Sequence, residues 1–465
     1  MLTKKREVIY QMEYYYFNKN IEIKINENVL NDTVKELISS FQYRIPALRF
    51  IPVKSLSVSI GERATGSRAV EKDGIKIVAD SEKQLLDKLF FALGKAEACF
   101  DEKGEASVRI PCGDYSPIKR NGVKMIHLCF FPETKFFVLK RAIRLAGVLG
   151  FTHVILEFWG TFPYKCLEEL KWKNTGVSLE QVKELLAETR KLKMQPVPMV
   201  NHFGHAPGTR VMSGKHTVLD QNPTLSPYFI NGGWTWNFKE PKVRKLLKTM
   251  RKELCDVFGD GEFFHIGLDE SYYDPESEEK REEIYSYVSE ICEEIKSEGR
   301  RPILWGDLFL HAKSLGIASD EGYHCGAQTK EISDKMLESL PKYAVIADWH
   351  YYVKKAPWKT SVYFKEKGFD VIECPWFDND DVVTAIDTAE EIGSFGIMLT
   401  TWHRLDSRVG TPSIYYAGKY LNEKDDTRGI RKILGSTEIL RKVYFAGENY
   451  EESGWYARQV ENICD

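Results

Sequence analysis

The stretch Phe263-Phe264-His265-Ile266-Gly267-Leu268-Asp269-Glu270 begins as a short apolar run and ends, past a glycine, on two adjacent carboxylates. A short apolar run bounded by turn formers reads as a strand buried on both faces. Successive strand residues face opposite sides. A chain that leaves strand geometry at the rim of a sheet can nevertheless bring Asp269 and Glu270 to one surface. A bare Asp-Glu pair also caps helices or binds a neighbouring arginine. Its position after an apolar strand and Gly267, ahead of Tyr272 and Tyr273, makes it a candidate active site instead.

Working outward, the same apolar run, loop and amphipathic helix recur from about Asn121 to the end of the sequence. Eight strands are predicted: Val123 to Phe130, His153 to Phe158, Gln195 to Asn201, Phe263 to Leu268, Pro302 to Trp305, Ala344 to Ala347, Asp370 to Cys374 and Gly396 to Thr400. Helical patterns separate them. One starts at Ser178, whose spacing to Gln181 is that of a capping box; Pro241 opens another, and Gly299 closes a charged one that begins near Glu276. Parallel strands need crossover helices, so eight such units predict a closed (β/α)8 TIM barrel. The loop from Asn201 to Glu240 is unusually long, and long loops after barrel strands carry function.

Residues 1–115 read differently, as a small α+β accessory domain before a catalytic barrel over 116–465. Strand-like runs at Ile21 to Ile25, Leu56 to Ile60 and Gly74 to Ala79 alternate with helical patterns near Val34 to Phe41 and over Glu82 to Cys99. The turn formers of Cys112 to Pro117 mark the exit. A chain of 465 residues accommodates both parts, since a barrel alone takes roughly 250.

Composition narrows the function classes. Hydrophobic residues at 43% and charged residues at 29% describe an ordinary globular chain. A net charge of −3 with interspersed signs offers neither a basic field for nucleic acid nor a polybasic membrane segment. No apolar run of about 18 residues and no signal-peptide pattern occur. Nine scattered cysteines without a Cys-x-x-Cys pair predict reduced thiols in a cytoplasm, and the sequence shows no spacing of metal ligands. A small glycan partner and chemistry without metal or organic cofactor are expected.

His265-Ile266-Gly267-Leu268-Asp269-Glu270 resembles the signature of glycoside hydrolase family 20, in which a strand written His-x-Gly-x-Asp-Glu supplies both catalytic acids. The resemblance runs along the chain. Pro198-Met199-Val200-Asn201-His202-Phe203-Gly204-His205 is similar to the third-strand motif ending Pro-Gly-His, and Leu304-Trp305-Gly306-Asp307 to the fifth-strand segment. Asp348-Trp349-His350-Tyr351-Tyr352 resembles the sixth-strand tryptophan and Tyr pair of compact members, and Trp402 stands where an eighth-strand tryptophan falls.

The resemblance implies a retaining exo-β-N-acetylhexosaminidase in which the sugar's own 2-acetamido oxygen attacks the anomeric carbon. Glu270 is then the general acid, Asp269 the ionised acceptor that orients the acetamido N–H, and His205 the histidine that backs Glu270. Trp305, Trp349, Trp376 and Trp402 would form sugar-facing walls, with Asp307 a further contact. Tyr351 or Tyr352 would hold the acetamido carbonyl, and the sequence leaves open which. Three departures stand out. Arg120 is the nearest stand-in for a first-strand arginine gripping O3 and O4, Glu157 replaces the polar end of the second strand, and Arg404 follows Trp402 where Glu is common. Asn201 also replaces a third-strand aspartate. A barrel glycosidase of other sugar specificity and a catalytically silent sugar-binding barrel are the alternatives.

Overall fold

The computed structural model describes residues 14–16, 22–26, 29–40, 49–53, 57–60, 70–71, 74–95, 97–100, 103–113, 116–131, 134–170, 176–207, 218–271, 278–317, 326–402, 405 and 410–424. Tyr272, Tyr273 and Arg404 lie outside the described residues. These residues divide into one unit up to Ile118 and a second from Lys119 onward.

The first unit holds a five-stranded mixed sheet in the order Arg49–Val53, Glu22–Asn26, Ser57–Ile60, Gly74–Val78, Val70–Glu71. Its helix Glu82–Leu93 starts at Ser81, whose side chain accepts the Gln84 N–H, and buries Leu85, Leu86, Leu89, Phe90 and Leu93 on one face. The helix stops at Gly94 instead of reaching Cys99. Glu97–Phe100 is a strand, paired antiparallel with Ala106–Pro111 around Gly104, whose φ is +75°. The apolar pattern of the helix ran on into this hairpin and concealed it.

The second unit is a closed barrel of eight parallel strands. They are β1 (Val123–Cys129), β2 (His153–Glu157), β3 (Gln195–Met199), β4 (Phe263–His265), β5 (Arg301–Trp305), β6 (Val345–Trp349), β7 (Asp370–Cys374) and β8 (Gly396–Leu399), with β8 closing on β1. All eight predicted strands are present. Eight helices follow them: α1 (Phe136–Val148), α2 (Leu179–Lys191), α3 (Pro241–Phe258), α4 (Glu278–Ser297), α5 (Lys330–Ser339), α6 (Lys359–Glu366), α7 (Asn379–Ile392) and α8 (Gly410–Glu423). The Ser178 and Gln181 capping box forms at the start of α2, and Pro241 is the first residue of α3.

Every strand contributes to one central apolar layer: Met125, Ile155, Val197, Phe263, Ile303, Val345, Ile372 and Met398. The strand period of two then fixes what lies nearer the C-terminal mouth. Two residues on stand His127, Glu157, His265 and Trp305; after a further two come Cys129, Asn201, Gly267, Asp307 and Trp402. The apolar layer is thus a floor on which polar and aromatic groups are stacked toward one end.

Candidate active site

The acids sit where β4 gives up its regular geometry. Only Phe263–His265 is strand; Gly267, Leu268 and Glu270 then take φ of +74°, +92° and +40°. For a non-glycine residue this region costs about 1–2 kcal/mol, and it persists where the surroundings over-determine it. At Gly267 nothing larger fits, because a Cβ would lie 1.9 Å from Asn201 Oδ1 and 2.9 Å from Asn201 Cα. A Cβ on Gly204 would fall 2.3 Å from the carbonyl oxygen of Asp269. The loop after β3 therefore lies directly against the backbone of the acids.

Hydrogen bonds fix the segment from both flanks. The His202 N–H donates to the Ile266 carbonyl at 2.9 Å, and the Trp305 N–H to the Gly267 carbonyl at 2.9 Å. Asp307 Oδ2 accepts the Glu270 N–H at 3.0 Å, while Trp234 Nε1 donates to the Glu270 carbonyl at 2.6 Å. Thr235 Oγ1 donates to the Ser271 carbonyl at 2.6 Å. Trp234 and Thr235 were not singled out from the sequence; the length of their loop was the only signal.

His205 stands between the two carboxylates, its Nε2 2.9 Å from Asp269 Oδ2 and 3.3 Å from Glu270 Oε2. Expected behind Glu270, it is closer to Asp269. Burial opposes a charge on this imidazole, but Asp269 and Glu270 outweigh it and push its pKa up to about 10. Burial also raises Asp269, and the imidazolium opposes that rise. Asp269 is buried and its Oδ1 has no hydrogen-bond partner among the described residues, whereas the Glu270 side chain is 30% exposed. One acid thus offers a desolvated acceptor and the other reaches the opening. His202 is structural: burial and Arg251 drive its pKa down to about 3.

The aromatic wall is built from β6, β7 and β8. Trp349 stacks on Tyr351 with centroids 5.0 Å apart, Tyr351 packs against Trp376 at 5.2 Å, and Trp402 Nε1 donates to the Tyr351 hydroxyl. An indole N–H only donates, so the phenol oxygen is the acceptor in that bond, and the Thr400 side chain is a second hydrogen-bond partner of the phenol. Burial raises the Tyr351 pKa well above its ordinary value, so the phenol stays neutral.

Five expectations need correction. Tyr352 is 57% exposed and stands apart from this cluster, so Tyr351 is the tyrosine of the aromatic wall. Trp305 is fully buried, packed against His265 and Trp402, so it backs the wall and does not form its open face. Asp307 is also fully buried, and its two oxygens are already taken by protein donors, the Glu270 N–H and Trp349 Nε1 at 3.2 Å. Glu157 lies beneath the surface, bonded to His127 and Asn201. Arg120 precedes β1 and so sits at the opposite end of the barrel, where its guanidinium meets Glu390 and the carbonyls of Tyr420 and Leu421.

Fold and site together define a (β/α)8 barrel with an acid pair, an imidazolium and an aromatic wall at its C-terminal mouth. Solved glycoside hydrolases of family 20 share this fold. The chain superposes on the Flavobacterium johnsoniae chitobiase with a TM-score of 0.64 and 17% identity, over 97% of this chain and 72% of that one. For the exo-β-N-acetylglucosaminidase of Vibrio harveyi, solved with N-acetylglucosamine, the values are 0.63 and 12%, over 94% and 76%. The β-N-acetylhexosaminidase of Streptomyces coelicolor gives 0.60 and 12%, over 93% and 94%. Among curated proteins, Hexosaminidase D of Bos taurus is 26% identical over 148 residues, 32% of this chain and 40% of that relative. No family model matches the chain.

Proposed function

We propose that the protein is an exo-acting, retaining β-N-acetylhexosaminidase that removes terminal β-linked GlcNAc or GalNAc from small glycans or glycoconjugates by substrate-assisted catalysis. The observation that carries this reading is the division of labour between the adjacent acids. Asp269, desolvated and paired with the His205 imidazolium, keeps Oδ1 for the acetamido N–H and balances the positive charge of an oxazolinium-like intermediate. Glu270, at the opening, protonates the leaving oxygen and then deprotonates water. Tyr351 supplies the O–H for the acetamido carbonyl, and Trp349, Trp376 and Trp402 offer faces to the C–H surfaces of the sugar.

Cys129, Cys166, Cys255, Cys292 and Cys374 are free thiols, in keeping with a reducing compartment, and we place the protein in the cytoplasm. Among the described residues no helix is long and apolar enough to cross a membrane. The deciding experiment sets chromogenic β-GlcNAc, β-GalNAc and β-glucoside side by side. Hydrolysis of the first two with an inert glucoside supports the reading. Turnover of the glucoside, or a covalent sugar trapped on a protein carboxylate, overturns it.

A further inference from the structure

Beneath the sugar site, β1 and β2 bring together three side chains that the mechanism leaves unused. His127 and Cys129 are two residues apart on β1 and share its inward face; parallel pairing sets Glu157 directly opposite Cys129. The three are fully buried or nearly so. Glu157 Oε2 lies 2.8 Å from His127 Nε2 and 3.2 Å from Cys129 Sγ, and Sγ lies 3.6 Å from Nε2. No Cys-x-x-Cys or His-x-x-x-His announces this set, because its third member comes from the neighbouring strand.

We propose that His127, Cys129 and Glu157 form a binding site for one divalent transition-metal ion, zinc by the chemistry of the donors. An imidazole nitrogen, a thiolate and a carboxylate oxygen are the mixed set that zinc takes, with three protein ligands and one position left for solvent. The spacing fits. An ion slightly out of the plane of the three atoms sits about 2.1 Å from each, close to ordinary zinc–nitrogen and zinc–oxygen lengths and slightly short of zinc–sulfur.

The surroundings suit a cation. Barrel interiors are filled by branched apolar residues, and the layer below is of that kind. Glu157 is an acid held above that layer with His127, Cys129 and Asn201 as its hydrogen-bond partners, and a buried carboxylate calls for positive charge. Asn201 Nδ2 holds the other oxygen, Oε1, at 2.5 Å, leaving Oε2 turned to His127 and Cys129 as an outer-shell group orients a ligand. Thr401 Oγ1 donates to the His127 carbonyl at 2.7 Å and accepts the Cys129 N–H at 3.4 Å, fixing the end of β1. Binding releases the thiol proton to solvent, so a thiolate and a carboxylate together cancel the dipositive charge. The His127 ring lies 4.6 Å from that of Trp402, so the ion would brace the floor under the aromatic wall.

The test does not depend on turnover. The full chain, purified without a histidine tag, is analysed for metals after dialysis, and about one zinc per chain is expected. Cobalt(II) exchanged into the unmodified protein should give an intense near-ultraviolet sulfur-to-metal charge-transfer band. That band should vanish in Cys129→Ser, with zinc content falling about tenfold or more. Should Cys129→Ser fail to fold, the band in the unmodified protein and its loss on chelation carry the test. Protein without stoichiometric metal, which takes up no zinc when supplied and shows no thiolate band with cobalt, would mean a hydrogen-bonded triad only and overturn the proposal.

Discussion

Replacing Asp307 by asparagine tests whether this buried carboxylate positions the acid or grips the sugar. Both of its oxygens accept N–H bonds, Oδ2 from the Glu270 backbone and Oδ1 from Trp349. An amide has one acceptor oxygen, so in Asp307→Asn one buried donor faces an NH2 group. An unsatisfied buried donor costs about 1–3 kcal/mol. Burial and the nearby Asp269 raise the Asp307 pKa well above the ordinary range, so removing its charge returns part of that cost. The net loss in stability should therefore fall near the lower end, about 1–2 kcal/mol in urea unfolding. The kinetic effect should be larger. Glu270 holds a φ of +40°, and its N–H bond to Asp307 is one of the contacts keeping it there. A displacement of about 1 Å at a reacting group costs on the order of 100-fold in rate. On a chromogenic β-GlcNAc substrate kcat should drop by roughly that factor, with KM changed less than about threefold. If KM rises tenfold or more while kcat and the unfolding curve stay put, Asp307 is a sugar ligand and the positioning argument fails.

The two acids should fail differently. Glu270→Gln should lose roughly 100- to 10,000-fold on poor leaving groups but keep much of the cleavage step on activated phenols, whereas Asp269→Asn should lose on both; equal single-turnover losses for the pair would remove the separate roles. Gly267→Ala forces a Cβ into Asn201 at a left-handed φ and should destabilise the barrel by about 2–5 kcal/mol, a prediction that an unchanged unfolding midpoint defeats. Outside the barrel wall, Ser361 Oγ lies 2.6 Å from Asp348 Oδ2 and 2.5 Å from Glu373 Oε2, and one hydroxyl proton cannot serve both. Burial, reinforced by Asp348, pushes the Glu373 pKa up to about 8, which places the second proton there. The folded state then binds a proton that the unfolded chain releases near pH 4.5, so stability should fall as pH rises from about 4.5 to 8. Glu373→Gln should flatten that slope by one proton, and parallel stability–pH curves for the two proteins would refute it.

The barrel was legible because parallel strands buried on both faces are continuous apolar runs, and the acid pair because it follows one of them at its C-terminal end. Side-chain destinations were less so. Asp307 and Trp305 carry the right residue types, but sequence does not say whether a group at a strand end faces the opening or lies under a neighbour. Arg120 was placed by proximity to β1, yet a residue before a barrel strand lies at the bottom and one after it at the top. Trp234, Thr235 and the His127, Cys129 and Glu157 set depend on pairing across loops and strands. Such pairings leave no mark within any single segment.

The brevity of β4 has a consequence for barrel engineering. Only three residues of that strand are in the sheet, and the acids hang beyond it, shaped by Gly204, Trp234 and Thr235 from the loop after β3 and by Asp307 after β5. The smallest transplantable unit is therefore the run from β3 through the turn after β5, not the strand that bears the acids. Recombination of barrel fragments with a crossover between β3 and β4, or between β4 and β5, would separate the pair from its moulding surfaces even with every signature residue retained. Crossovers before β3 or after Asp307 would move the acids and their mould together.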